Sequence, residues 1–235
     1  MGIDPIDPIG WLPALLQTND PLFPTGAYAH SLGLEEVVRL GIVKDEAGLL
    51  FFLKNQTMPA LEHLDLPFVR FAYEATLGGD VEALCGIDGE ISALKICREL
   101  REASVQLGVR RLQMLLKLFP GAVLQRFEEK RAAGEARGHH LTVYGMQMAT
   151  QGVPLDAALM SYLYQSLAGQ CSAALKLIRI GQEGCQRVLK ECLDAAGACV
   201  RGSMAVRRED AGWFDPMLEI AAMRHEYANE RLFIS

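Results

Sequence analysis

The stretch LDAALMSYLYQSLAGQCSAALKLIRI, residues 155–180, decides the fold. Leu155, Leu159, Leu163 and Leu167 recur at every fourth position, and Ser161, Gln165, Gly169 and Ala173 form a second row. On a helix the first row is a ridge of large side chains, and the second is a ridge of small ones that admits a close neighbour. Residues 157–175 are 19 positions without a charge, near the length that spans a bilayer. Ser161, Gln165, Ser166, Gln170 and Ser172 interrupt that surface, so the spacing predicts a buried helix at the centre of a bundle, not a membrane span.

The rest of the chain carries the same helical punctuation. Leucine and alanine number 62 against 30 for valine, isoleucine and threonine together, a bias that disfavours strands. Asp45 caps a helix expected to end at Pro59, Asp65 with Pro67 opens another that stops at Gly78 and Gly79, and Asp80 and Asp88 are further caps. A helix over 27–40 stops at Gly41, a long one over 89–119 closes at Pro120, and 139–151, 182–196 and 216–229 complete the series. The reading is one all-α domain over 1–235, a bundle of roughly eight to ten helices around one long central helix. Segments 1–9, 126–138, 200–212 and 231–235 are expected to be mobile, because they are polar, glycine-broken or terminal.

Composition excludes several functions. A net charge of −6 over 235 residues leaves no basic stripe for phosphates, which disfavours a nucleic-acid partner. Asp4 and Asp7 stand where an export signal would be basic, and six cysteines in a chain too large to need staples fit reduced thiols, hence a cytoplasmic protein. Cys185, Cys192 and Cys199 share one helical face, but steps of seven residues climb about 10.5 Å each, too far for one metal. They read as small buried apolar residues. His139 and His140 are adjacent without a third ligand nearby, and their place at a helix start disfavours the protonated form. His30, Leu34 and Val38 share a face, so His30 reads as a core histidine. Phe23-Pro24-Thr25-Gly26 offers a helix start without the lysine and glycine spacing of a phosphate loop. A metal-dependent hydrolase built on His30, His139 and His140 remains the alternative from a different class.

Four blocks carry a resemblance to one family. They are residues 15–35 (LLQTNDPLFPTGAYAHSLGLE), 98–108, 138–145 (GHHLTVYG) followed by 162–182, and 220–226 (IAAMRHE) with 231–235 (RLFIS). Together they resemble the urease accessory protein UreF family, with Ala27 where the family has a second glycine and Ile234 where it has an arginine before the last serine. The resemblance implies a non-enzymatic, all-helical, dimeric chaperone. It would sit between a UreD/UreH-type accessory protein and the GTPase UreG during nickel loading of apo-urease, with no tightly bound cofactor of its own. The partner-binding residues it suggests are Phe23, Pro24, Thr25, Gly26, His30 and Glu35 in the first block. In the last they are Arg224, His225, Glu226, Tyr227, Arg231, Leu232, Phe233 and Ser235.

Overall fold

A computed structural model describes residues 9–25, 33–225 and 232–233 of the chain. Among the described residues there is no strand, and no helix is long and apolar enough to cross a membrane. The α-helical segments are α1 (Leu12–Asn19), α2 (Leu34–Arg39), α3 (Glu46–Phe52), α4 (Met58–Ala60), α5 (Leu66–Leu77) and α6 (Val81–Leu94), then α7 (Arg98–Leu118), α8 (Ala122–Ala132), α9 (His140–Thr150), α10 (Leu155–Leu177), α11 (Gln182–Ala205) and α12 (Pro216–His225). This is the expected all-α bundle in one domain, with the long helix in place as α10.

The caps act where the sequence puts them in two cases. The carboxylates of Asp45 and Asp80 accept the N–H groups of Gly48 and Ala83, each at 2.9 Å, and start α3 and α6. Asp215 does the same for α12 through Met217 and Leu218.

Pro59 does not end its helix, contrary to expectation. Segments α3, α4 and α5 run end to end as one rod, joined by π-helical turns at Leu53–Thr57 and Leu61–Asp65. Each wide turn closes on the residue just before a proline: Met58 bonds back to Leu53, and Leu66 to Leu61. The wider turn accommodates a ring that would clash with the carbonyl four residues back. Pro67 has no N–H for the His63 carbonyl, and Gly212 supplies one instead at 2.9 Å.

The segment over 200–212, read from the sequence as a loop, is helical in its first part. Helix α11 runs on to Ala205, because Cys199, Val200 and Ser203 continue its buried face beneath exposed polar residues. The strap that follows is tied down: Arg70 donates to the Val206 carbonyl, Arg208 pairs with Glu90 at 2.7 Å, and Trp213 stacks on His63. The segment 126–138 is likewise helical in its first half, since α8 extends to Ala132 with Leu124 and Phe127 buried and Arg131 paired to Glu128. The expected helix over 89–119 is broken between Leu94 and Arg98; of the one over 27–40, residues 27–32 lie outside the described residues, and α2 begins only after Gly33 at φ +88°, a conformation a helix interior does not accept.

Helix α9 is the most enclosed element, packed between α5 and α7. Two glycines permit that approach. A Cβ at Gly145 would lie 2.4 Å from the Val69 carbonyl oxygen, and one at Gly108 only 2.1 Å from that of Gly138. The close contact expected at Gly169 is absent, for nothing described lies within 4 Å of a Cβ there. The leucine ridge of α10 is buried as predicted at Leu159, Leu163 and Leu167, against α11 and its neighbours. Cys171, Cys185, Cys192 and Cys199 are buried free thiols, and burial pushes Cys171 and Cys199 up to about 12.

Candidate functional site

The first block is built on the end of α1. Asp20 folds the chain back by accepting the N–H of Leu22 on its carboxylate at 2.7 Å and that of Phe23 on its carbonyl. Thr25 N–H then bonds the Phe23 carbonyl at 2.7 Å. Side chains alternate along this turn: Phe23 and Thr25 are buried, while Pro24 is exposed and Leu22 is 91% exposed. Phe23 is therefore a support for the turn's shape, and Leu22, which was not singled out in the sequence, is its outward apolar group. Gly26 and His30 lie outside the described residues, as does the helix start expected after Gly26.

Beneath the turn sits a buried polar network. Arg111 on α7 is only 2% exposed and lies 5.4 Å from the Phe23 ring centroid and 5.1 Å from that of Tyr144. Its Nη1 donates to Gln147 Oε1 at 2.6 Å, Gln147 Nε2 donates to Thr18 Oγ1, and Thr18 donates to the Ala14 carbonyl at 2.8 Å. Asn19 at the end of α1 donates to the Tyr144 hydroxyl, which also bonds Ser161 at 2.7 Å. Burial pulls the Arg111 guanidinium down to about 10, so it stays charged at neutral pH. No carboxylate among the described residues pairs with it, and its Nε has no hydrogen-bond partner there.

The last block meets the first at α2. Helix α12 packs on α2 and α7, with Met217, Ile220 and Met223 exposed along one side and Phe214 exposed just before it. Arg224 is exposed. His225 ends the helix, its side chain outside the described residues, and Glu226, Tyr227, Arg231 and Ser235 also lie outside them. Glu35 accepts the N–H groups of Leu232 at 2.8 Å and Phe233 at 3.0 Å. Phe233 is 5% exposed with Lys176 Nζ 5.2 Å from its ring, whereas Leu232 is 70% exposed. Of the segment 231–235, the described residues Leu232 and Phe233 thus meet a carboxylate and an apolar seat on the same chain. Burying such a ring is worth about 1.5–3 kcal/mol, enough to seat a terminal segment.

The paired histidines pack and hydrogen-bond within the bundle. His139 is fully buried between Ser92 and Ser104, its Nε2 at 2.7 Å and Nδ1 at 3.1 Å from their hydroxyls. Burial lowers its imidazole to about 4, the direction expected, although desolvation and not the helix start is the main cause. His140 packs on the rings of Tyr144 and Tyr162. Among the described residues no group of three or more His, Cys, Asp and Glu side chains is placed to hold a metal. Asp88 is a cap as the sequence suggests, but the helix it serves was missed. It caps not its own helix but the start of α9, accepting the N–H groups of Arg137, Gly138 and His139 and the hydroxyl of Thr142.

Comparison with known proteins follows the same lines. A family profile described as UreF matches residues 43–193. The chain is 37% identical over 222 residues to the urease accessory protein UreF of Paenarthrobacter aurescens (strain TC1), covering 94% of this chain and 97% of that one. It is 31% identical over 221 residues to that of Lachnoclostridium phytofermentans (94% and 97%), and 30% over 227 residues to that of Haemophilus influenzae (strain PittGG; 95% of each). The match of sequence blocks, helical architecture and full-length relatives is that of a single lineage, and the chain belongs to the urease accessory protein UreF family.

Proposed function

We propose that the chain is a non-enzymatic urease maturation chaperone of the cytoplasm. It acts as a homodimer that bridges a UreD/UreH-type accessory protein and the GTPase UreG while nickel is loaded into apo-urease. In this reading nickel is cargo of the assembled complex, with no metal held tightly by this chain. The turn over 20–25 meets the GTPase, and α12 with the segment over 231–235 meets the UreD/UreH-type partner.

The observation that carries this reading is where the exposed apolar side chains fall. Phe214, Met217, Ile220 and Met223 form an exposed apolar run on and just before α12, and Leu22 stands out on the turn over 20–25, among other exposed apolar side chains such as Phe51 and Leu77 elsewhere on the chain. Contiguous apolar surface is costly to leave in water and serves association. Family membership supports a partner among the urease accessory proteins. The experiment is co-purification from a urease-producing cell with chain variants expressed at native level. Leu22→Ser is expected to lose the GTPase while keeping the UreD/UreH-type protein, and Ile220→Ser with Met223→Ser the reverse. If both variants retain both partners, the assignment of these surfaces is wrong. Metal analysis of the tag-free chain is expected to find less than one nickel or zinc per chain after gel filtration.

A further inference from the structure

A fully buried cation with no anion beside it is expensive. Removing a charge from water costs several kcal/mol unless a counter-charge and hydrogen bonds replace the water. Arg111 has one hydrogen bond to Gln147, two ring faces and a bare Nε among the described residues. A leucine or methionine at that place would serve packing at lower cost, so packing does not explain the guanidinium.

Its neighbours do. Every donor in the chain Arg111, Gln147, Thr18, Ala14 points the same way, from α7 through α9 into α1. A residue that donates and never accepts sets that direction: it makes the Gln147 amide turn its oxygen to α7 and its NH2 to Thr18, with Gln151 Oε1 as that NH2's second acceptor. The Thr18 hydroxyl, thereby supplied with a donor, commits its own hydrogen to Ala14. The same guanidinium faces Phe23, the inward side chain of the turn whose outward neighbours are Leu22 and Pro24. One buried group thus acts on both ends of the segment, on the register of α1 through Thr18 and on the turn through the Phe23 ring.

We propose that Arg111 is a positioning residue for docking: from inside the bundle it holds the turn over 20–25 in the shape that presents Leu22 and Pro24 to a partner. The inference rests on the reading of that turn as the GTPase-facing surface. It assigns to the buried charge a role in binding, exercised through Phe23 and Thr18 without contact with the partner.

The test compares Arg111→Met, Arg111→Lys and Leu22→Ser in the full chain, by amide hydrogen exchange and by affinity for the purified GTPase partner. In Arg111→Met, protection of the Phe23 and Thr25 N–H groups is expected to fall at least about tenfold while that of α9 and α11 is kept, and affinity to fall by a similar factor. Arg111→Lys keeps a donor for Gln147 but loses the planar fork, so it should recover the α1 amides more fully than Phe23. Unchanged protection at Phe23 and Thr25 in Arg111→Met overturns the proposal, and so does a loss spread evenly over all helices, which is the mark of a merely structural residue. If Arg111→Met loosens the turn and still binds while Leu22→Ser does not, the turn docks without being held and the inference alone fails. If neither variant affects binding, the docking reading of the turn fails and the proposal with it.

Discussion

Asp88→Ala is the perturbation whose size follows most directly from the structure. The carboxylate is fully buried, and four donors end on it: Arg137 N at 2.6 Å and Gly138 N at 3.0 Å on one oxygen, His139 N at 2.7 Å and Thr142 Oγ1 at 2.9 Å on the other. Three of these are backbone N–H groups at the start of α9, which have no partner within their own helix. Leaving a buried donor unpaired costs about 1–3 kcal/mol, and water entering the space left by the side chain returns part of it. A loss of about 3–5 kcal/mol is the expectation, as for other buried charged networks broken on one side. At roughly 2–4 °C per kcal/mol for a chain of this size, Tm should drop by roughly 6–20 °C. Asp88→Asn keeps one acceptor oxygen and should lose about half as much. Asp80→Ala is the control, since that carboxylate caps a single N–H at the surface and should cost about 1 kcal/mol. Urea and thermal unfolding of the three variants measure all of this. An Asp88→Ala loss no larger than that of Asp80→Ala would refute the assignment of Asp88 as the anchor of α9.

Further expectations concern packing, pH and the C-terminal seat. Gly145→Ala forces a Cβ against the Val69 carbonyl and should cost about 1–3 kcal/mol, whereas Gly169→Ala meets open space and should be neutral or stabilise by up to about 1 kcal/mol; thermal melts separate them. His139 is held neutral in the fold with its value lowered to about 4 from 6.5, so between those values the unfolded chain binds the extra proton. Stability is therefore full above about 6.5 and is lost as pH falls toward about 4, and His139→Gln should flatten the dependence of the urea midpoint on pH over that window. Phe233→Ala should release the last residues, read as faster amide exchange at Leu232 and Phe233, with little change in α9.

How far the sequence could be read depended on whether the signal was local. Asp45, Asp80 and Asp215 act within four residues of themselves, and the leucine ridge of α10 repeats at helical spacing, so each was legible. Asp88 looked like a cap and is one, but for a helix that begins 52 positions later, a pairing only the tertiary fold creates. Pro59 read as a stop and Pro67 as a fresh start because the wide turns that carry the helix past them leave no mark in residue types. The charged stretches over 126–132 and 200–205 looked like loops since their buried faces are thin, carried by Phe127 in one and Val200 and Ser203 in the other. Of the candidate site, the resemblance located both blocks, yet it did not reveal that Phe23 and Phe233 turn inward or that Glu35 joins the two blocks. Leu22 and Phe23 are both apolar between Pro21 and Pro24, so the sequence marks a turn opened by Asp20 but not which of the two faces outward. Arg111 could not be found, because an arginine amid helical charges carries no sign of burial.

The most direct test of the account is nickel loading of apo-urease from purified components, with the UreD/UreH-type protein, the GTPase, GTP and nickel present throughout and this chain added or withheld. The account predicts that metal bound per urease active site, measured by elemental analysis after gel filtration, rises only when the chain is present. It also predicts that Leu22→Ser and the Ile220→Ser, Met223→Ser pair each abolish the rise while remaining folded. Equal loading without the chain, or full loading by both surface variants, would contradict it.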